Sequence, residues 1–210
     1  MHGRHIGCNS TNKRKERMTQ IRRVVTGHDT NGKAIVLSDG PVPTVHGNPI
    51  RPGQLSFEVW KTHAMPVPLA ATEPEPTTGP RSLQPPRQGT LFRISVVPPE
   101  SEATRNLTPE QARELFIKSG AGEASTFGRG GRHPMMHRTE TVDYAVVLEG
   151  EITLLLDEGD VQLKAGDVVI QRGTSHAWSN RSGKEVKMLY VLIDGDFAPD
   201  LEGKFWSGDK

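Results

Sequence analysis

The stretch HRTETVDYAVVLEG, residues 137–150, decides the fold, together with the later GDVVIQRGTSHAWSN, residues 166–180. In an extended chain successive side chains point to opposite faces. Residues 137, 139, 141 and 143 therefore share a face if the strand is unbroken, which sets an imidazole, hydroxyls and a carboxylate side by side. His176, Trp178 and Asn180 repeat the pattern in the second segment. Between and after them, EITLLLDEGD, VQLKAGDVVIQRG and EVKMLYVLIDG read as strands. They are broken by Glu149-Gly150, Glu158-Gly159-Asp160, Ala165-Gly166-Asp167 and Arg172-Gly173-Thr174. Short strands with turn residues at such regular spacing predict an all-β barrel or sandwich.

Working toward the N-terminus, LFRISVV (91–97) is a further strand, closed by Pro98-Pro99. TPEQARELFIKSG (108–120) is the one convincing helix. Thr108 caps it, Pro109 suits its first turn, Gln111 completes a capping box and Gly120 ends it. Ala112, Leu115, Phe116 and Ser119 form its inner stripe. The loop GAGEASTFGRGGRH follows. Residues 61–90 hold seven prolines, which lack the donor a sheet or helix needs, and read as a long surface excursion. RRVVTG and KAIVLS around Asn31-Gly32 predict a hairpin, and SFEVW (56–60) another strand. From Asp196 the chain is polar and reads as a surface drape.

With 210 residues, one domain of ordinary size is expected. Residues 1–17 carry Arg4, Lys13, Arg14, Lys15 and Arg17 against Glu16 alone. They read as a disordered basic tail, with Met18 able to begin a chain of its own, and residues 18–210 as a single domain. The body has no basic stripe, so no nucleic-acid partner is expected. No run approaches 18 apolar residues and the first 17 hold no apolar core, so neither a membrane span nor a secretory signal is expected. A lone cysteine, Cys8, agrees with a cytoplasmic setting.

Bringing His176 across from His137 and Asp143 makes a two-histidine, one-carboxylate set, a ligand pattern for non-haem Fe(II) that also serves Mn, Ni or Zn. Four residues of extended chain separate His133 from His137 by about 13 Å, so His133 stays outside the set. Trp178 reads as a barrel-wall residue or a ligand-stacking ring. Arg93, amid apolar neighbours, reads either as an inward anchor for an acidic substrate or as a solvated outer-face residue. Glu140 is a base by chemistry, but its parity points it away.

The two segments resemble the cupin superfamily. Its first motif runs glycine, five residues, His-x-His, three or four residues, glutamate, six residues, glycine. Its second runs glycine, about five residues, Pro-x-Gly, two residues, histidine, three residues, asparagine. Here the first reads His137-x-Thr139, three residues, Asp143, six residues, Gly150. The second reads Gly166, four residues, Gln171-Arg172-Gly173, two residues, His176, three residues, Asn180. The resemblance covers about residues 90–195. It implies a double-stranded β-helix, the cupin jelly-roll barrel, with an N-terminal extension and one short helix, and pairing as a homodimer. Thr139 stands where the family has its second histidine, Asp143 where it has glutamate, and Gln171 where it has proline.

Three functions follow from this reading. The first is a divalent-metal-dependent enzyme, oxidoreductase or dioxygenase-like, on a small organic acid or aromatic substrate. His137, Asp143 and His176 would be both its ligands and its catalytic residues, with Arg93, Thr139 and Trp178 toward the substrate. The second is a metal-free isomerase, lyase or cyclase using His and Asp acid–base chemistry. The third is a non-catalytic small-molecule binder. The sequence holds no phosphate-cradling loop, dinucleotide fingerprint or nucleophile elbow.

Overall fold

The computed structural model describes residues 20–49, 51–201 and 203–205; the basic tail expected at 1–17, with Cys8 and Met18, lies outside them. Eleven strands follow one another among the described residues: β1 (Arg22–His28), β2 (Ala34–Pro41), β3 (Thr44–Gly47), β4 (Leu55–Thr62), β5 (Thr90–Val97), β6 (Thr141–Glu149), β7 (Glu151–Leu156), β8 (Asp160–Lys164), β9 (Val168–Arg172), β10 (His176–Ser179) and β11 (Val186–Asp194). Helical turns lie between β5 and β6: a single turn α1 (Glu102–Arg105), the ten-residue α2 (Pro109–Lys118) and a 3₁₀ turn at Gly122–Ala124. No helix among the described residues is long and apolar enough to cross a membrane.

All strand pairing is antiparallel. One sheet runs β3-β4-β5-β11-β6-β9, a second β10-β7-β8, and β1-β2 form a separate hairpin. This is the all-β architecture expected of the strand-and-turn pattern. Residues from both larger sheets meet in one core, with Val97, Ala145, Val147 and Met188 from the first and Ile152, Leu154, Leu163 and Trp178 from the second. Alternation on β6 selects the inward set: Thr141, Asp143, Ala145 and Val147 are buried while Tyr144 and Leu148 are exposed. Gly150 makes the β6–β7 reversal at φ +84°, where a Cβ would press on Val186. A glycine meets that need without steric cost.

The proline-rich excursion returns to the body at two places. Glu75 pairs with Arg23 at 2.5 Å and Thr77 is fully buried, while Arg81 bonds the Ser119 carbonyl. The C-terminal drape is held by aromatic contact: Phe197 packs on Phe205, over which the Arg138 guanidinium stands at 3.9 Å. β3 was not expected from the sequence; its four residues carry too little pattern.

The capping box on α2 is complete, with the Gln111 amide donating to Thr108 Oγ1 and the Thr108 amide donating to Gln111 Oε1. It aims Phe116 into a second core with Met135, Met136, Leu155 and Ala177, so that α2 closes the open end of the barrel. Thr108→Ala should cost about 1 kcal/mol in urea unfolding at unchanged slope; a loss below a few tenths would show that the cap does not fix the helix.

Candidate functional site

His137 does not belong to β6. It sits in an isolated antiparallel bridge to His176, the first residue of β10. The two exchange backbone bonds, His137 N–H to the His176 carbonyl at 2.9 Å and the reverse at 3.0 Å. Their rings lie 4.4 Å apart between centroids. Each Nδ1 lies 3.0 Å from the carbonyl two residues back, Met135 for His137 and Thr174 for His176. A carbonyl only accepts, so each Nδ1 must carry the hydrogen, leaving a lone pair on each Nε2. Burial disfavours the charged imidazolium and holds His137 down at about 4 and His176 at about 3. Both rings are therefore neutral at pH 7.

Asp143 faces the same cavity from β6. Burial pushes its carboxyl up to about 6, more than the Thr141 hydroxyl and the positive charge of Arg93 pull it down. Its Oδ1 is buried without a hydrogen-bond partner. The cavity, about 100 Å³, is closed by Phe116, Leu83 and Met135 and floored by Trp178 and Tyr190, whose rings meet edge-on. Trp178 is thus a core residue, as its barrel-wall reading expected, and also lines the cavity.

Several expectations need correction. The unbroken strand from 137 to 143 fails at Arg138–Glu140, because His137 is recruited to the small sheet while β6 starts at Thr141 in the large one. His137, Asp143 and His176 nonetheless line one cavity. Among the described residues no three His, Cys, Asp or Glu side chains are placed to hold a metal ion. Two Nε2 donors alone do not make the three-ligand centre expected for Fe, Mn, Ni or Zn. Thr139 leaves the cavity as well; it bonds Thr141 at 2.7 Å and lines a separate groove with Arg138, Glu140 and Phe197. His133 pairs with Glu100 at 3.1 Å.

Arg93 points inward, which removes its outer-face reading, but it is already engaged. Its Nε and Nη2 donate to Glu58 Oε1 at 3.0 and 2.8 Å, and Nη2 also donates to the Ser82 carbonyl. Glu58 is fully buried. Its charge inside the apolar strand SFEVW is the same signal that singled out Arg93, and the sequence reading passed it over. Arg51 and Arg81 also line the cavity; both come from irregular segments, where no periodicity assigns a face. Asn180 proves structural: it donates to the Val97 and Lys184 carbonyls and pins the turn before β11.

Two predictions follow from these environments. Glu58→Leu strands a buried guanidinium and should cost about 3–5 kcal/mol, whereas Glu58→Leu with Arg93→Met should recover most of it; equal losses in urea titrations would contradict the pairing. The second concerns acid. Unfolded histidine binds a proton near 6.5, the folded rings only near 4 and 3, so stability falls as pH drops from 6.5 toward 3. Asp143 acts in the opposite sense between 3.8 and about 6, where the folded form holds its proton and the unfolded form has lost it. Melting temperatures of His137→Gln/His176→Gln should decline less with acid than those of the parent protein; parallel curves would contradict the buried neutral rings.

The comparisons with known proteins agree with this geometry. The family model for the cupin domain matches residues 124–192, which contain both histidines and Asp143. The chain is similar to Phomopsin biosynthesis cluster protein D of Diaporthe leptostromiformis, at 42% identity over 45% of this chain and 50% of that one. It is also similar to Phomopsin biosynthesis cluster protein C' of the same organism, at 46% identity over 38% of this chain and 43% of that one. A longer match, 27% identical over 89% of this chain and 86% of the relative, is to the cupin-domain-containing oxidoreductase fogC of Aspergillus ruber. The chain thus spans half or less of the first two relatives and most of the third. With its antiparallel barrel, its turn glycines and its histidines at the two motif positions, residues 124–192 of this chain are a cupin domain.

Proposed function

We propose that the cavity is the active site of an enzyme that moves a proton on a small organic molecule, with Asp143 as the group that exchanges it. The observation that carries this reading is the Asp143 carboxyl. One oxygen is buried without a partner, it faces a cavity large enough for a compact ligand, and burial sets its proton affinity near 6. A general base works best when its affinity lies near the working pH.

His137 and His176 are too weakly basic to compete for that proton, and their Nε2 lone pairs serve instead to accept bonds from substrate hydroxyl or amino groups. Ionised Asp143 takes a proton from the substrate, and its protonated form returns one to another atom. An isomerisation, elimination or ring closure balances on that exchange alone. An oxidation, as the word oxidoreductase in a relative's name describes, would need in addition an electron acceptor such as dioxygen to take two electrons from the substrate. A second reading is favoured by the two neighbouring Nε2 lone pairs, which are also what a divalent ion uses.

A panel of small acids, alcohols and phenols, followed by mass spectrometry, tests the proposal. Consumption of at least one compound is expected, with Asp143→Asn slowed about 10²–10⁴-fold and the binding of that compound retained. Retention without turnover across the panel would make the protein a binder instead. Elemental analysis of untagged protein incubated with Fe(II), Mn(II), Ni(II) and Zn(II) should give well under one ion per chain; one equivalent, lost in His137→Ala and His176→Ala, would establish the metal reading in its place.

A further inference from the structure

Three guanidinium groups line the cavity, those of Arg51, Arg81 and Arg93. Their partners differ in a way that points to a ligand. Arg93 is matched by Glu58. Arg51, only 6% exposed, donates one bond, from Nη2 to the Trp178 carbonyl at 2.7 Å, and its Nε is buried without a partner. Arg81 likewise donates from Nη1 to the Ser119 carbonyl at 3.0 Å and leaves Nε without a partner. Neither makes an ion pair with a described carboxylate. Glu100 lies near enough to attract Arg51, yet its own contacts go to His133 and Ser179.

A buried cation without a counter-charge is expensive, and proteins keep one where something outside the chain completes it. Glu58 answers Arg93, and the pull of Asp143 also falls on Arg93. Glu100 attracts Arg51 and Glu58 attracts Arg81, but neither carboxylate is in contact with them, so both Nε donors stay unsatisfied. The lining near these arginines combines apolar Leu83, Phe116 and Met135 with polar Asn48, Gln54 and Ser119. Arg51 and Arg81 both act electrostatically on His137, which places the two guanidinium groups near the imidazole pair.

We infer that Arg51 and Arg81 are the recognition site for one carboxylate on the substrate, whose apolar or aromatic body lies against Phe116 and Leu83. The inference deepens the proposed function and rests on it for the identity of the cavity as the substrate site. Guanidinium groups suit this task because their planar donors match the two oxygens of a carboxylate. Arg93, the arginine singled out from the sequence, is a wall residue in this arrangement, and the anchors come from the loops.

Isothermal titration at pH 7.5 with benzoate, phenylacetate and hexanoate, each against its uncharged amide, tests the inference. At least one acid should bind and raise the melting temperature, and its amide should bind about tenfold or more weakly. Arg51→Gln and Arg81→Gln should each lose about tenfold for the acid with the amide unchanged, and Arg51→Lys should keep part of the preference. Because the amide reports on the folded cavity, a collapsed variant is distinguished from a lost anchor. Equal binding of acid and amide, a preference that survives in both Gln variants, or binding by none of the three acids overturns it. The readout needs no turnover. Retained acid preference without turnover of any compound would sink the enzyme reading and keep this one, while turnover confined to uncharged compounds would do the reverse.

Discussion

Two backbone hydrogen bonds between His137 and His176 hold the site together. They tie the glycine-rich loop after α2 to the first residue of β10, and so join segments that no continuous strand connects. The bridge sets the two rings side by side, and the carbonyls two residues upstream orient both in the same way. Local geometry thus settles which nitrogen carries the hydrogen. Burial then settles the charge, since moving an imidazolium out of water costs more than one carbonyl bond returns. Neutral rings with lone pairs facing the cavity are the outcome.

The same competition, decided differently, explains the other charged groups. For Asp143 desolvation outweighs one hydroxyl bond and one distant guanidinium, so the carboxyl keeps its proton to about pH 6. For Glu58 and Arg93 a direct contact of 2.8 Å supplies the counter-charge that burial demands. Arg51 is buried and Arg81 half-buried without the contact, and each keeps a buried Nε that nothing in the described chain satisfies. The barrel supplies a low-dielectric wall, and these groups are what that wall leaves unsatisfied.

Much of the fold was legible in the sequence. The alternation in TVDYAVVLE, the glycines at reversals and the capping box at Thr108 are local signals, and the chain obeys them. The β3 strand was missed because four residues cannot establish a period. At the site, His137, Asp143 and His176 were read as cavity residues, and all three line the cavity. The break at Arg138–Glu140 was not legible, because parity was carried across the point where the chain changes sheets; a sequence does not show which sheet will capture a residue ahead of a strand. Thr139 was lost for the same reason. Arg51 and Arg81 lie in segments without regular structure, so nothing in their neighbours assigned them an interior face. Glu58 was available to the same argument that found Arg93, an opposite charge in another apolar strand.

The site depends on two histidines that stay neutral, with hydrogen on Nδ1, in the barrel's buried cavity. Long-range ¹H–¹⁵N correlation spectra of the histidine rings measure this directly, with His137→Gln and His176→Gln giving the assignments. Both rings should show a protonated Nδ1 and a bare Nε2 at pH 7, and should keep that pattern to pH 5. Rings that gain a second proton near pH 6.5, or that carry the hydrogen on Nε2, would mean that they face water and that the cavity has no such pair.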